Sequence, residues 1–295
     1  MRSMIALLLT SSAAMAEVPR VVTDIPPVHS IVAMVMGDLG TPELLLGKGA
    51  DEHDFQLKPS QMTSLADAGL VVWVGPELTP WLDSALDARS VEGAVLTLFD
   101  DVGTYKINYF AGDVARGDVN VEGSIDPHVW LDPSTGQWWT TLIAAELSRL
   151  DPENAATYSA NAEAAKARIA VAEDEAKALL EPVKDLPFVT YHDAFGYFIN
   201  YFDLTPAGTI ALGDAASPGA ARVSEIVNSD ETTAIFCVFP ETQHDPAMVE
   251  MLAEEVGVKI GAALDPVGST LEPGPDAYGT LITGLAKSIA DCLAD

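Results

Sequence analysis

Three of the five histidines stand in motifs suited to a metal ligand: His53 in G-A-D-E-H-D-F, His128 in D-P-H-V-W-L-D-P and His192 in V-T-Y-H-D-A-F-G-Y-F. Asp265, in A-L-D-P-V-G, adds a carboxylate, and Glu52 beside His53 is an alternative one. Three neutral imidazoles and a carboxylate suit tetrahedral zinc. Separations of 75, 64 and 73 residues along the series 53, 128, 192, 265 mean that only a tertiary fold brings these groups together. A histidine taken singly is more often a surface or hydrogen-bonded residue than a ligand. His29, after Pro26-Pro27, and His244, in P-E-T-Q-H-D-P, are read that way, with a place near the cleft as the other option.

Familiar catalytic motifs are missing: the sequence has no H-E-x-x-H, no G-x-S-x-G and no Walker loop. A catalytic zinc keeps one open position and a base nearby. Asp265 in the fourth position argues for a binding protein and not an enzyme; Glu52 acting as a base would argue for a zinc hydrolase.

The elements that must position these residues are short apolar runs alternating with helical patterns. Residues 21–25, 43–46, 70–75 and 95–99, then 188–192, 208–212, 234–239 and 259–264, read as strands buried on both faces, as in parallel sheets. The expected fold is α/β, with two Rossmann-like lobes, 17–150 and 183–295, each a mostly parallel sheet with flanking helices. His192 ends a strand, His53 follows one by a short loop and Asp265 follows another, at the carboxyl ends where ligands of such sheets gather. Residues 151–182 read as one long rigid linking helix. Asp151 is its expected N-cap, Pro152 its first turn and Pro182 its stop. Residues 100–124, with four glycines and isolated aromatics, read as a long loop.

Residues 1–16 have the pattern of a secretory signal: Arg2, the apolar run 4–9 and the A-x-A site Ala14-Met15-Ala16, with cleavage after Ala16. A periplasmic location follows as the expectation. The formal charge of −29 excludes a basic nucleic-acid-binding face. Cys237 lies in an apolar run and Cys292 in the last amphipathic stretch. An even count in an exported chain favours a disulfide, which would pin the C-terminal helix to a sheet.

Taken in order, G-A-D-E-H-D-F-Q-L-K-P-S-Q, L-V-V-W-V-G-P-E-L, D-P-H-V-W-L-D-P, Y-H-D-A-F-G-Y-F, I-F-C-V-F-P-E-T-Q and L-D-P-V-G resemble the ZnuA-like zinc-binding solute-binding proteins of bacterial ABC importers. The resemblance runs over essentially the whole chain after residue 16. It implies two α/β lobes joined by a long helix, with the metal between them. It also implies His53, His128 and His192 as ligands to a transported Zn(II), with Asp265 as fourth ligand or Glu52 in its stead. Cys237 and Cys292 match a disulfide of the zinc group. Relatives that carry manganese have a carboxylate where this chain has His192, which fits the preference of imidazole for zinc. The implied partner is an importer permease, with a periplasmic zinc chaperone as a further one and a monomer as the working state. Many zinc members have a histidine-rich acidic loop before the second motif; here residues 100–124 contain no histidine.

Overall fold

A computed structural model describes residues 18–88, 91–109, 125–211, 220–228 and 235–294. The expected signal segment 1–16, the loop beyond residue 109 up to 124, and the expected strand ends at Leu212 and Ala234 lie outside the described residues.

The apolar runs pair into two parallel sheets. Strands β1 (Val21–Thr23), β2 (Glu43–Leu44), β3 (Leu70–Trp73) and β4 (Ala94–Thr97) lie in the order β2-β1-β3-β4. Strands β5 (Phe188–His192), β6 (Pro206–Ala211), β7 (Cys237–Phe239) and β8 (Lys259–Ile260) lie in the order β6-β5-β7-β8. The second sheet thus repeats the topology of the first. Central strands β1, β3, β5 and β7 are buried at every position, whereas edge strands β2, β4 and β8 are partly or wholly exposed. This is the gradient expected when helices cover both faces of a parallel sheet.

The helices of the first half are α1 (Pro26–Met36), α2 (Pro59–Ala66), α3 (Pro80–Ala88) and α4 (Pro133–Leu150). Each opens on a proline, whose fixed φ and missing N–H suit the first turn. Strand β1 is two residues shorter than the sequence suggests. Asp24 turns its carboxylate back, accepting the Ile25 N–H at 2.8 Å and the Val74 N–H at 2.8 Å, and Pro26 starts α1. Complete burial pushes the Asp24 carboxyl up to about 7.

Helix α5 (Ala155–Leu180) is the expected long helix, about 39 Å at ~1.5 Å per residue. A 3-10 turn at Pro152–Asn154 precedes it, and Asp151 makes no capping bond to the backbone. Instead, its carboxylate accepts from the Asn154 amide at 2.7 Å and the Tyr158 hydroxyl at 2.9 Å. Tyr158, Ala162, Ala165, Ile169, Ala172, Ala176 and Leu180 make up its buried stripe. The alanines let α4 and α9 (Ala277–Ala294) pack closely against it. The remaining helices are α6 (Gly196–Tyr201), α7 (Ala220–Val227) and α8 (Ala247–Val256).

Helix α9 returns across the molecule to pack on α1 and α5, while the Cys237–Cys292 disulfide ties it to β7. Hydrogen bonds also join the two halves. The Trp130 indole N–H donates to the Pro266 carbonyl at 2.8 Å, and the Tyr278 hydroxyl donates to the Trp130 carbonyl at 2.7 Å. Among the described residues no helix is long and apolar enough to cross a membrane.

Candidate metal centre

Strand β5 ends on His192, which is buried. In the order β6-β5-β7-β8 the chain passes from β5 to β6 on one side and then crosses to β7 on the other, a switch point of the kind that opens a crevice between the ends of β5 and β7. Glu241, two residues after β7, fills it. One carboxylate oxygen accepts the His192 backbone N–H at 2.9 Å and the other meets His192 Nδ1 at 2.6 Å. A carboxylate only accepts, so the proton sits on Nδ1 and the lone pair on Nε2.

His128 is held in the same way. It starts the 3-10 turn Val129–Leu131, and Asp126 Oδ1 accepts its backbone N–H at 2.9 Å and its Nδ1–H at 2.7 Å. Both residues are fully buried. The surroundings fix Asp126 in turn: its N–H donates to the Ile107 carbonyl at 2.9 Å, and its carbonyl accepts the Tyr197 hydroxyl at 2.9 Å. Tyr197 also accepts the Ile107 N–H, so the described base of the long loop is pinned beside His128.

His53 lies on the loop after β2, where its N–H donates to Asp51 at 2.8 Å. One ring nitrogen from each of His53, His128 and His192 lies within 4.8 Å of the other two. The ring centroids are 5.3 Å apart for His53–His128, 5.3 Å for His128–His192 and 6.1 Å for His53–His192. Two of these histidines come from the first half of the molecule and one from the second. Donors so gathered, two of them oriented by carboxylates, suit a zinc ion.

The carboxylate brought against this group is Glu52. It is buried, its Oε1 has no hydrogen-bond partner, and that atom is 3.9 Å from His53 Nε2. Burial pushes its carboxyl up to about 8. Asp265, the other expected ligand, falls outside the histidine group. Its two oxygens accept the Ser269 N–H at 3.0 Å, the Thr270 N–H at 2.9 Å, the Thr270 hydroxyl at 2.8 Å and the Gln243 amide at 3.0 Å. It organises the turn after β8 and, through Gln243, holds the loop that carries Glu241.

The other two histidines separate. His29 is buried in α1, with Nε2 3.1 Å from the Pro42 carbonyl, and burial lowers its pKa. It stands apart from the three. His244 joins His192 and Glu241 in a second group of possible ligands. Of the acidic residues close in sequence to these histidines, Asp126 supports His128 and Asp132 caps α4 through the Ser134 N–H at 2.7 Å. Glu241 escaped the sequence reading as a histidine partner because 49 residues separate it from His192.

The family model "Zinc-uptake complex component A periplasmic", ZnuA, matches residues 21–292. The chain belongs to the ZnuA family. It is 43% identical to the high-affinity zinc uptake system protein ZnuA of Paracoccus denitrificans, over 95% of this chain and 93% of that protein. The ZnuA of Brucella suis is 34% identical, over 93% and 91% respectively. The structure of a 138–173 ZnuA deletion mutant with zinc bound superposes with a TM-score of 0.76 at 25% identity, covering 93% of this chain and 98% of that one. FpvC of Pseudomonas aeruginosa in complex with Mn2+ shares the fold, with a TM-score of 0.78 at 20% identity, over 93% and 98%. The ZnuA fold therefore occurs with different metals, and the donor set must decide which one this chain takes.

Proposed function

We propose that this chain is the periplasmic zinc-binding component of an ABC importer, which captures Zn(II) and delivers it to the membrane permease. The observation that carries this reading is the group of three imidazoles from both halves of the molecule, two of them held by carboxylates at Nδ1. His53, His128 and His192 are the ligands. Glu52, already 3.9 Å from His53 Nε2, is a better fourth ligand than Asp265, whose oxygens are engaged in a turn. Zn(II) with three neutral imidazoles and one carboxylate leaves one net positive charge, tolerable in a partly buried site. The lobes are 17–150 and 183–295 with a linking helix over 151–182, and the signal segment is cleaved after Ala16. The mature protein works as a monomer, with a periplasmic chaperone as a possible source of its zinc.

Competitive titration of the metal-stripped protein against a chromophoric chelator tests this reading. The expected result is one tight zinc equivalent that manganese cannot displace. Tight manganese with weak zinc would overturn it.

A further inference from the structure

His244 has no place in the three-histidine centre, yet it lies next to it. The loop after β7 turns through residues 241–244, closed by a 3.4 Å hydrogen bond from the His244 N–H to the Glu241 carbonyl. That turn puts both side chains on one side, with His244 Nε2 3.9 Å from Glu241 Oε2. Two ligands of a tetrahedral zinc at bond lengths of ~2.0–2.1 Å stand about 3.3 Å apart, so a small rotation of His244 suffices for both to hold one ion. The His192 and His244 rings are 5.7 Å apart between centroids, and one donor atom each from His192, Glu241 and His244 lies within 4.8 Å of the others. The imidazole of His244 stacks on Tyr191 at 4.5 Å and 22°, which limits the directions its nitrogens take. Side-chain exposure rises from none at His128 through 5% at His192 to 28% at His244.

We propose that His192, Glu241 and His244 form an outer zinc position, through which the ion passes between the three-histidine centre and solvent. The inference rests on the zinc-carrier reading above. Because a neutral His192 has one lone pair, on Nε2 or on Nδ1, an ion occupies one of the two positions at a time. Moving outward, the ion leaves His53, His128 and the Nε2 of His192, and binds Glu241, His244 and the Nδ1 of His192. His192 then releases the proton on Nδ1 and takes one up on the vacated Nε2, so that the ring remains a neutral imidazole with its lone pair on the metal. Without the outer ligands, zinc would have to leave three imidazoles for water in one step.

The test uses the mature protein and zinc itself. Titration of the unaltered protein comes first: absence of a tight zinc equivalent would sink the carrier reading, whatever His244 does. Zinc release into excess chelator is then followed by stopped flow for His244→Phe and His244→Ala. Phenylalanine retains the stack on Tyr191 but has no donor nitrogen. Both variants are expected to release zinc about tenfold more slowly. Native rates in both would overturn the proposal and send zinc out past His53. A native rate in His244→Phe with a slow His244→Ala would also overturn it, since packing alone would then explain the residue. In the variant lacking His53 and His128, both changed to alanine, one weak zinc equivalent is expected to remain and to vanish when His244→Phe is added. Failure to retain it, or its survival in the triple variant, would count against the outer position.

Discussion

Glu241 grips His192 at two points, the backbone N–H at 2.9 Å and the ring Nδ1 at 2.6 Å, so that one carboxylate fixes both the main chain and the imidazole plane. Asp126 repeats the arrangement at His128, at 2.9 and 2.7 Å. Replacing either carboxylate frees the ring to rotate and removes the group that fixes its tautomer. Glu241→Ala and Asp126→Ala are each expected to weaken zinc binding about 10- to 100-fold, the range typical of supporting residues at metal sites. Chelator competition on each variant gives the answer. A change below threefold would mean that the histidines are oriented by packing instead.

The two candidate fourth ligands separate experimentally. Glu52→Gln is expected to lower zinc affinity with little effect on melting of the metal-free protein. Asp265→Asn is expected to do the reverse, costing about 1–3 kcal/mol of stability because it weakens the turn held through Ser269 and Thr270. Calorimetric titration and thermal melts of the two variants decide the matter. The opposite pattern would restore Asp265 as the ligand.

Asp24 gives the fold a pH signature. Its carboxyl titrates near 3.8 when exposed and at about 7 when folded. Between those values the folded chain binds more protons than the unfolded one, so this group makes stability fall as pH rises from about 4 to about 7. Its contribution is fully present below the lower value. Asp24→Asn is expected to flatten the slope of denaturation free energy across that window. An unchanged slope in urea titrations at several pH values would refute this.

Reduction of the Cys237–Cys292 bridge should cost at most about 4 kcal/mol in the chain-entropy picture of a loop this long. The double serine variant is expected to melt earlier and still bind one zinc, since neither sulfur belongs to the histidine group. Loss of zinc binding at a temperature where the variant remains folded would show that the bridge shapes the site.

The alternating pattern of apolar runs and helices was enough to anticipate two parallel sheets and the long helix, because buried strands and an alanine-rich helix announce themselves locally. His53, His128 and His192, each attached to a strand end or a helix start, could be picked out in the same way, and the fold gathers their rings. What escaped was set by which side chains meet in the folded chain, some distant in sequence and some near. Glu241 pairs with His192 only because β7 lies beside β5. Asp265 was read from its place after a strand, and the donors that Ser269 and Thr270, four and five residues on, turn toward it were not legible there. Asp151 looked like a helix cap, but the nearby Tyr158 hydroxyl and Asn154 amide took its carboxylate. The matching order of the two sheets left no sequence repeat to detect, since topology constrains burial and not residue identity.

The C-terminal helix α9 is welded to the second sheet by the disulfide and packs on α1 and α5. Mechanically it is a second beam beside α5, and two beams side by side resist bending far better than one. On the ligand sets proposed above, a carrier braced in this way leaves the work of release to the loops bearing His53, Glu241 and His244. X-ray scattering of the metal-free and zinc-loaded forms should accordingly return the same radius of gyration, and the permease must meet a surface that rearranges locally on a frame that does not move.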